Sequence, residues 1–115
     1  MKDRDRKIIN KVTKYIERAD QVTRGMDLRT FQDDWIIQSA AAFSLAQIGK
    51  LAKNISEESE RENTQIIWRE IRNLRNRIVH DYASVDLELL WEILTEDIPE
   101  LSRQIKILLN ELSDT

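Results

Sequence analysis

Apolar residues recur at helical spacing along most of this chain, with charged and polar residues between them. From about Asp5 to Met26 they fall at Ile8, Ile9, Val12, Tyr15, Ile16, Ala19 and Val22, the i, i+3, i+4, i+7 pattern of an amphipathic helix. Gly25 and Asp27 mark a break, after which Asp27 or Thr30 can cap a second helix from about Thr30 to Asn54; Asp33 stands in a capping-box position to Thr30. In that span the apolar positions, from Phe31, Trp35 and Ile36 through Phe43 to Leu51 and Ala52, cover more than one stripe, so this helix should be the most buried. Gly49 and the alanine run are packing residues that let neighbouring helices approach. Residues 56 to 63 are polar and read as a connection, with room for a helical turn, and their glutamates as a solvated surface.

A third helix is expected from about Thr64 to Tyr82, with Ile67, Ile71, Leu74 and Ile78 as its core stripe and Gln65, Arg69, Arg72, Asn76 and His80 on the opposite side. Asp86 can cap a fourth, about Leu87 to Thr95, and Asp97 a fifth, with Pro99 in its first turn and Leu101, Ile105, Leu108 and Leu112 repeating to the end. Trp35, Trp68 and Trp91 each lie in an apolar pattern and are assigned to the core. The expected fold is therefore all-α, an antiparallel bundle of four to five helices in one domain over residues 1–115.

Composition narrows the function classes. Zero Cys and one His leave no thiolate site and no histidine-built zinc site within one chain, so no metal or other cofactor is expected. The charged N-terminus lacks the apolar core of a signal peptide, and no apolar run approaches membrane-spanning length, which makes the cytoplasm the default setting. A net charge of -3 argues against coating nucleic acid through broad electrostatics but allows a local basic site. Positions 69 to 77 supply four arginines for one.

The single histidine stands beside those arginines, in Leu-Arg-Asn-Arg-Ile-Val-His-Asp-Tyr, residues 74 to 82. Cleaving RNA without metal takes a base for the 2′-hydroxyl, an acid for the leaving 5′-oxygen and positive charge on the phosphorane; histidine suits both proton roles and arginine the charge. One chain has one His, so a two-histidine mechanism requires two chains. On a regular helix Arg75 lies roughly 140° from His80. Either the helix ends or distorts near His80, or the two residues act together across an interface between chains.

The string Arg75-Asn76-x-x-x-His80-x-Tyr82, with Asp81 inside it, resembles the signature of the HEPN superfamily, and its His-x-Tyr element the HepT-like branch. The resemblance extends to Ala46–Lys50 and Ile67–Ile71 upstream and to Val85–Trp91 and Asp97–Pro99 downstream. It implies a HEPN-like homodimer and a metal-independent endoribonuclease whose Arg75 stabilises phosphate and whose His80 transfers protons at the dimer cleft, leaving a cyclic phosphate. Asn76 would orient the site, and Arg69 and Arg72 would hold the RNA backbone. It further implies a toxin whose antitoxin partner is a nucleotidyltransferase that silences it by attaching adenylate to Tyr82. The alternatives are a non-catalytic HEPN module that pairs with such a transferase or binds nucleotides, and a plain helical dimerisation domain.

Overall fold

The amphipathic pattern of the first segment forms α1, Asp3–Thr23, which buries Ile8, Ile9, Val12, Ile16 and Ala19 along one side. The computed structural model describes residues 1–81 and 84–113, with the backbone alone at His80, Asp81 and Ser84. Gly25 ends the first helical passage at φ 78°, a conformation glycine reaches without the Cβ clash other residues meet. Asp27 caps the next helix as expected, accepting the Thr30 N–H at 2.8 Å.

That helix is short. The single second helix expected from Thr30 to Asn54 divides into α2, Leu28–Gln32, and α3, Trp35–Ala52, because Asp34 caps a second time by accepting the Ile36 and Ile37 N–H groups. Phe31 and Trp35 would share a face on one unbroken helix. The break separates them: Phe31 is 0% exposed, whereas Trp35, expected in the core, is 72% exposed. Trp68 and Trp91 meet the expectation, the first buried and the second half-buried with its ring 5.1 Å from that of Phe31.

Ser56 then caps α4, Glu57–Glu62, which carries the expected turn of helix in the polar connection. The third helix is not continuous from Thr64 to Tyr82: it starts later, breaks at Asn73 and stops early, as α5, Trp68–Arg72, and α6, Leu74–Ile78. Since α5 begins at Trp68, Ile67 lies outside the helix and is exposed rather than part of the core stripe, and Ile66 is buried instead. Two short strands follow, β1, Val79–Asp81, and β2, Ser84–Val85, paired antiparallel with Val79 opposite Val85. They are the departure from an otherwise helical chain.

Asp86 caps α7, Leu87–Glu92, as expected. The last helix has Pro99 in its first turn and buries Leu101, Ile105 and Leu108 as expected, but Asp97 does not cap it. Instead α7 runs through a π-helical turn, Ile93–Asp97, into α8, Ile98–Ser113. Pro99 has no N–H and its ring crowds the carbonyl four residues back, and the wider π turn lets the helix pass it without stopping.

Packing places α3 at the centre, with α1 along it and α5 and α6 on it as well, while α8 and the π turn reach α1. A Cβ on Gly49 would stand 3.1 Å from the Ile71 carbonyl oxygen and 3.7 Å from the Leu74 Cβ, so glycine is what lets the α5–α6 joint seat against α3. Among the described residues no helix is long and apolar enough to cross a membrane.

One buried charge fixes the start of this arrangement. Asp5, 1% exposed on the apolar side of α1, accepts from the Ser56 N–H at 3.1 Å and from the Ser56 and Ser59 hydroxyls at 2.6 Å each, joining α1 to the cap of α4. Burial pushes its carboxyl up, but the Ser56 and Ser59 hydrogen bonds, with Lys2 nearby, outweigh this and hold it below its ordinary value. A depressed folded pKa gives stability that is present above the unfolded value and is lost as pH falls through the folded one. Asp5→Ala should therefore cost about 1–3 kcal/mol at neutral pH, roughly 5–15 °C in Tm. In a thermal-melt series the gap from wild type should close as pH drops below about 4; a gap independent of pH would mean that the carboxylate charge is not what joins α1 to α4.

Candidate active site

Local sequence explains how the motif is presented. On α6, Leu74 and Ile78 are spaced one turn apart and buried, which turns the intervening Arg75 and Asn76 outward, and both are exposed. Arg77, half-buried on the same helix, donates to the Asp97 carboxylate at 3.1 Å and ties α6 to the π turn. Asp97, expected as a helix cap, thus serves as the anchor of the motif helix.

The helix ends at Ile78, and His80 lies on β1. The helix thus ends before His80, the first of the two arrangements open from the sequence, and the 140° separation on a wheel does not apply. The strand is held at its base where the Asp86 N–H donates to the Ile78 carbonyl at 2.8 Å, the same Asp86 that caps α7. The His80 side chain and Tyr82 lie outside the described residues.

The four arginines of the basic run divide into two kinds. Arg72 is ion-paired with Glu60 across the α4–α5 connection and Arg77 with Asp97, both at half-buried positions. Arg69 and Arg75 are exposed, and among the described residues neither has a carboxylate partner. The sequence expectation placed Arg69 and Arg72 together on the RNA backbone; the structure leaves Arg69 open and engages Arg72 with Glu60. Glu60, expected on a solvated acidic surface, is half-buried in that pair.

Trp68 is held by its own chain of bonds, its indole N–H donating to the Asn63 carbonyl at 3.0 Å while the Asn63 amide donates to the Ser59 carbonyl at 2.8 Å. That chain leads back through Ser59 to Asp5, so the start of α5 is tied to the first turn of α1. Sequence reasoning missed this network. Its signal was a charged residue at position 5, in phase with Ile8, Ile9, Val12 and Ile16.

Comparison with known proteins shows the family of this chain. Residues 12–108 match the model of the family described as Ribonuclease HepT-like. "Putative RNase TTE0752" of Caldanaerobacter subterraneus subsp. tengcongensis is 31% identical over 88 residues, 76% of this chain and 79% of that protein. "Probable ribonuclease HepT" of Thermococcus cleftensis is 33% identical over 101 residues, 88% of this chain and 92% of that protein. No solved structure matches. With a family model spanning both the motif and most of the helical frame around it, the chain belongs to the Ribonuclease HepT-like family.

Proposed function

We propose that this protein is a metal-independent endoribonuclease that acts as the toxin of a toxin–antitoxin pair. The observation that carries the reading is the motif helix: Arg75 and Asn76 are held outward by the buried Leu74 and Ile78, directly before the strand that bears His80. His80 takes the proton of the RNA 2′-hydroxyl, the 2′-oxygen attacks phosphorus, and the 5′-oxygen leaves with a proton supplied by a second histidine. The products are a 2′,3′-cyclic phosphate and a 5′-hydroxyl. Arg75 balances the charge of the phosphorane through its fork of donors, Asn76 orients the phosphate, and Arg69 holds the backbone. Arg72 serves through its Glu60 pair as a positioning residue.

The second histidine comes from a second copy of the chain, since each chain has one. The α3 ridge supports a homodimer: Trp35, Ile36 and Phe43 are 72%, 63% and 55% exposed, an apolar surface that a second copy covers. Control falls to a nucleotidyltransferase antitoxin. The Tyr82 hydroxyl attacks the α-phosphate of ATP, pyrophosphate leaves, and the adenylate on Tyr82 fills the phosphate site beside His80 with negative charge and bulk.

Two measurements test this. Purified protein should cut RNA in the presence of a chelator and leave cyclic phosphate ends; cleavage only after metal is restored would end the metal-independent reading. Where the neighbouring gene encodes a nucleotidyltransferase, co-expression with it should add one or more adenylates to the intact mass, and Tyr82→Phe should abolish the increment. An unchanged mass would make direct binding by the partner the means of control.

A further inference from the structure

We propose that a groove between α1 and α3, separate from the motif, binds the phosphate backbone of the RNA substrate. It rests on the reading that the substrate is RNA. The groove has a volume of about 370 Å³ and is lined by Lys11, Lys14 and Tyr15 from α1 and by Gln47, Lys50 and Leu51 from α3, with Asn54 at its end. Lysines thus converge on it from two elements.

The surrounding charge extends the groove into a track. Lys7, Lys11, Lys14 and Arg18 recur at i, i+4, i+7 and i+11 and fall within about 60° on α1 at 100° per residue. They span roughly 16 Å of helix at 1.5 Å per residue, long enough to follow several phosphates of one strand. On the other wall α3 has no acidic residue, and Lys50 is followed by Lys53 just beyond its end. Among the described residues none of these six cations is ion-paired, in contrast to Arg72 and Arg77 of the motif. In a chain of net charge -3, three lysines lining one groove, with three further cations without ion pairs on or next to the helices that form it, are a local field of the sign RNA requires.

One aromatic residue lines the site: Tyr15, with the Arg18 guanidinium over its ring at 5.1 Å. A ring with a guanidinium stacked on it, beside a cationic track, is a combination that single-stranded nucleic acid uses, bases against the Arg18–Tyr15 stack and phosphates on the lysines. The groove is concave, with its tyrosine half-buried, whereas a helix that binds a bilayer presents a convex apolar side to insert. Since α3 also carries α5 and α6, the track and the motif lie on helices packed against one element.

The test uses the full chain carrying His80→Ala, so that RNA is bound without being cut, with and without Lys11→Gln, Lys14→Gln and Lys50→Gln. Binding of a fluorescein-labelled oligouridylate is followed by anisotropy over a salt series. Three lost phosphate contacts on a single strand lower the slope of log K against log salt by about 2, which is about a hundredfold weaker binding near 0.1 M salt and little change near 1 M. Equal affinity and slope in the two proteins would overturn the proposal, as would failure of the His80→Ala protein to bind the strand. It would also fall if the lysines proved to matter only for pelleting with phosphatidylserine vesicles, with RNA affinity unchanged. The outcomes separate from those of the nuclease reading: lysine-dependent binding without wild-type cleavage sinks the nuclease and keeps the groove, and the reverse sinks only the groove.

Discussion

His80→Ala is expected to lower metal-free RNA cleavage by about 10²–10⁴-fold, the usual worth of a positioned proton-transfer group. In a symmetric cleft the substitution removes both the base and the acid, so the loss should fall at the upper end. Arg75→Ala should cost about 10²–10³-fold, as loss of a donor to developing negative charge does. Arg75 is exposed on α6 and has no carboxylate partner among the described residues, so its removal should leave stability within about 0.5 kcal/mol. Arg77→Ala gives the contrast: it breaks the 3.1 Å tie to Asp97 and should lower Tm, with cleavage falling only as α6 loosens. Lysine at position 75 keeps the charge without the fork and should restore activity in part. Cleavage at the wild-type rate in both His80→Ala and Arg75→Ala would move the chemistry away from the motif.

How much of this was legible beforehand depends on whether the deciding signal was local. Gly25, Asp27 and Asp86 act within a few residues of themselves, and each does in the structure what its position suggests. The breaks that were missed each came from a competition between two local signals. Asp34 outcompetes the helical pattern running from Phe31 to Trp35, and the turn it creates sends Phe31 inward and Trp35 outward. Pro99 reads equally well as the first turn of a new helix or as a residue to be accommodated, and the π turn chosen depends on α7 and α8 sharing one core. Asn73 breaks the motif helix where Gly49 of α3 receives the joint, a match of two elements distant in sequence.

Arg75, Asn76 and His80 stand out in the sequence through the resemblance of their string to a family motif, and the structure adds how the backbone presents them, on a helix end and a strand rather than on one long helix. Which arginines carry free charge could not be read from the sequence. Glu60 lies 12 residues before Arg72 and Asp97 lies 20 residues after Arg77, and only the fold brings the members of each pair together.

If the proposed homodimer forms through the α3 ridge, Trp35→Glu combined with Ile36→Glu is expected to leave the protein monomeric at micromolar concentration and to lower cleavage by at least a hundredfold. Both residues are more than half exposed in the single chain, so glutamate there meets water and should cost the monomer little. In a dimer joined through the α3 ridge, the same carboxylates would be buried against apolar side chains without partners, at several kcal/mol per ion, enough to shift a micromolar dissociation constant by orders of magnitude. Activity should fall with assembly because a monomer offers one His80 for two proton transfers. Sedimentation and cleavage measured on the same samples separate the two steps of the argument. A variant that still sediments as a dimer would place the interface away from the α3 ridge, and a monomer that cleaves at the wild-type rate would show that one His80 suffices.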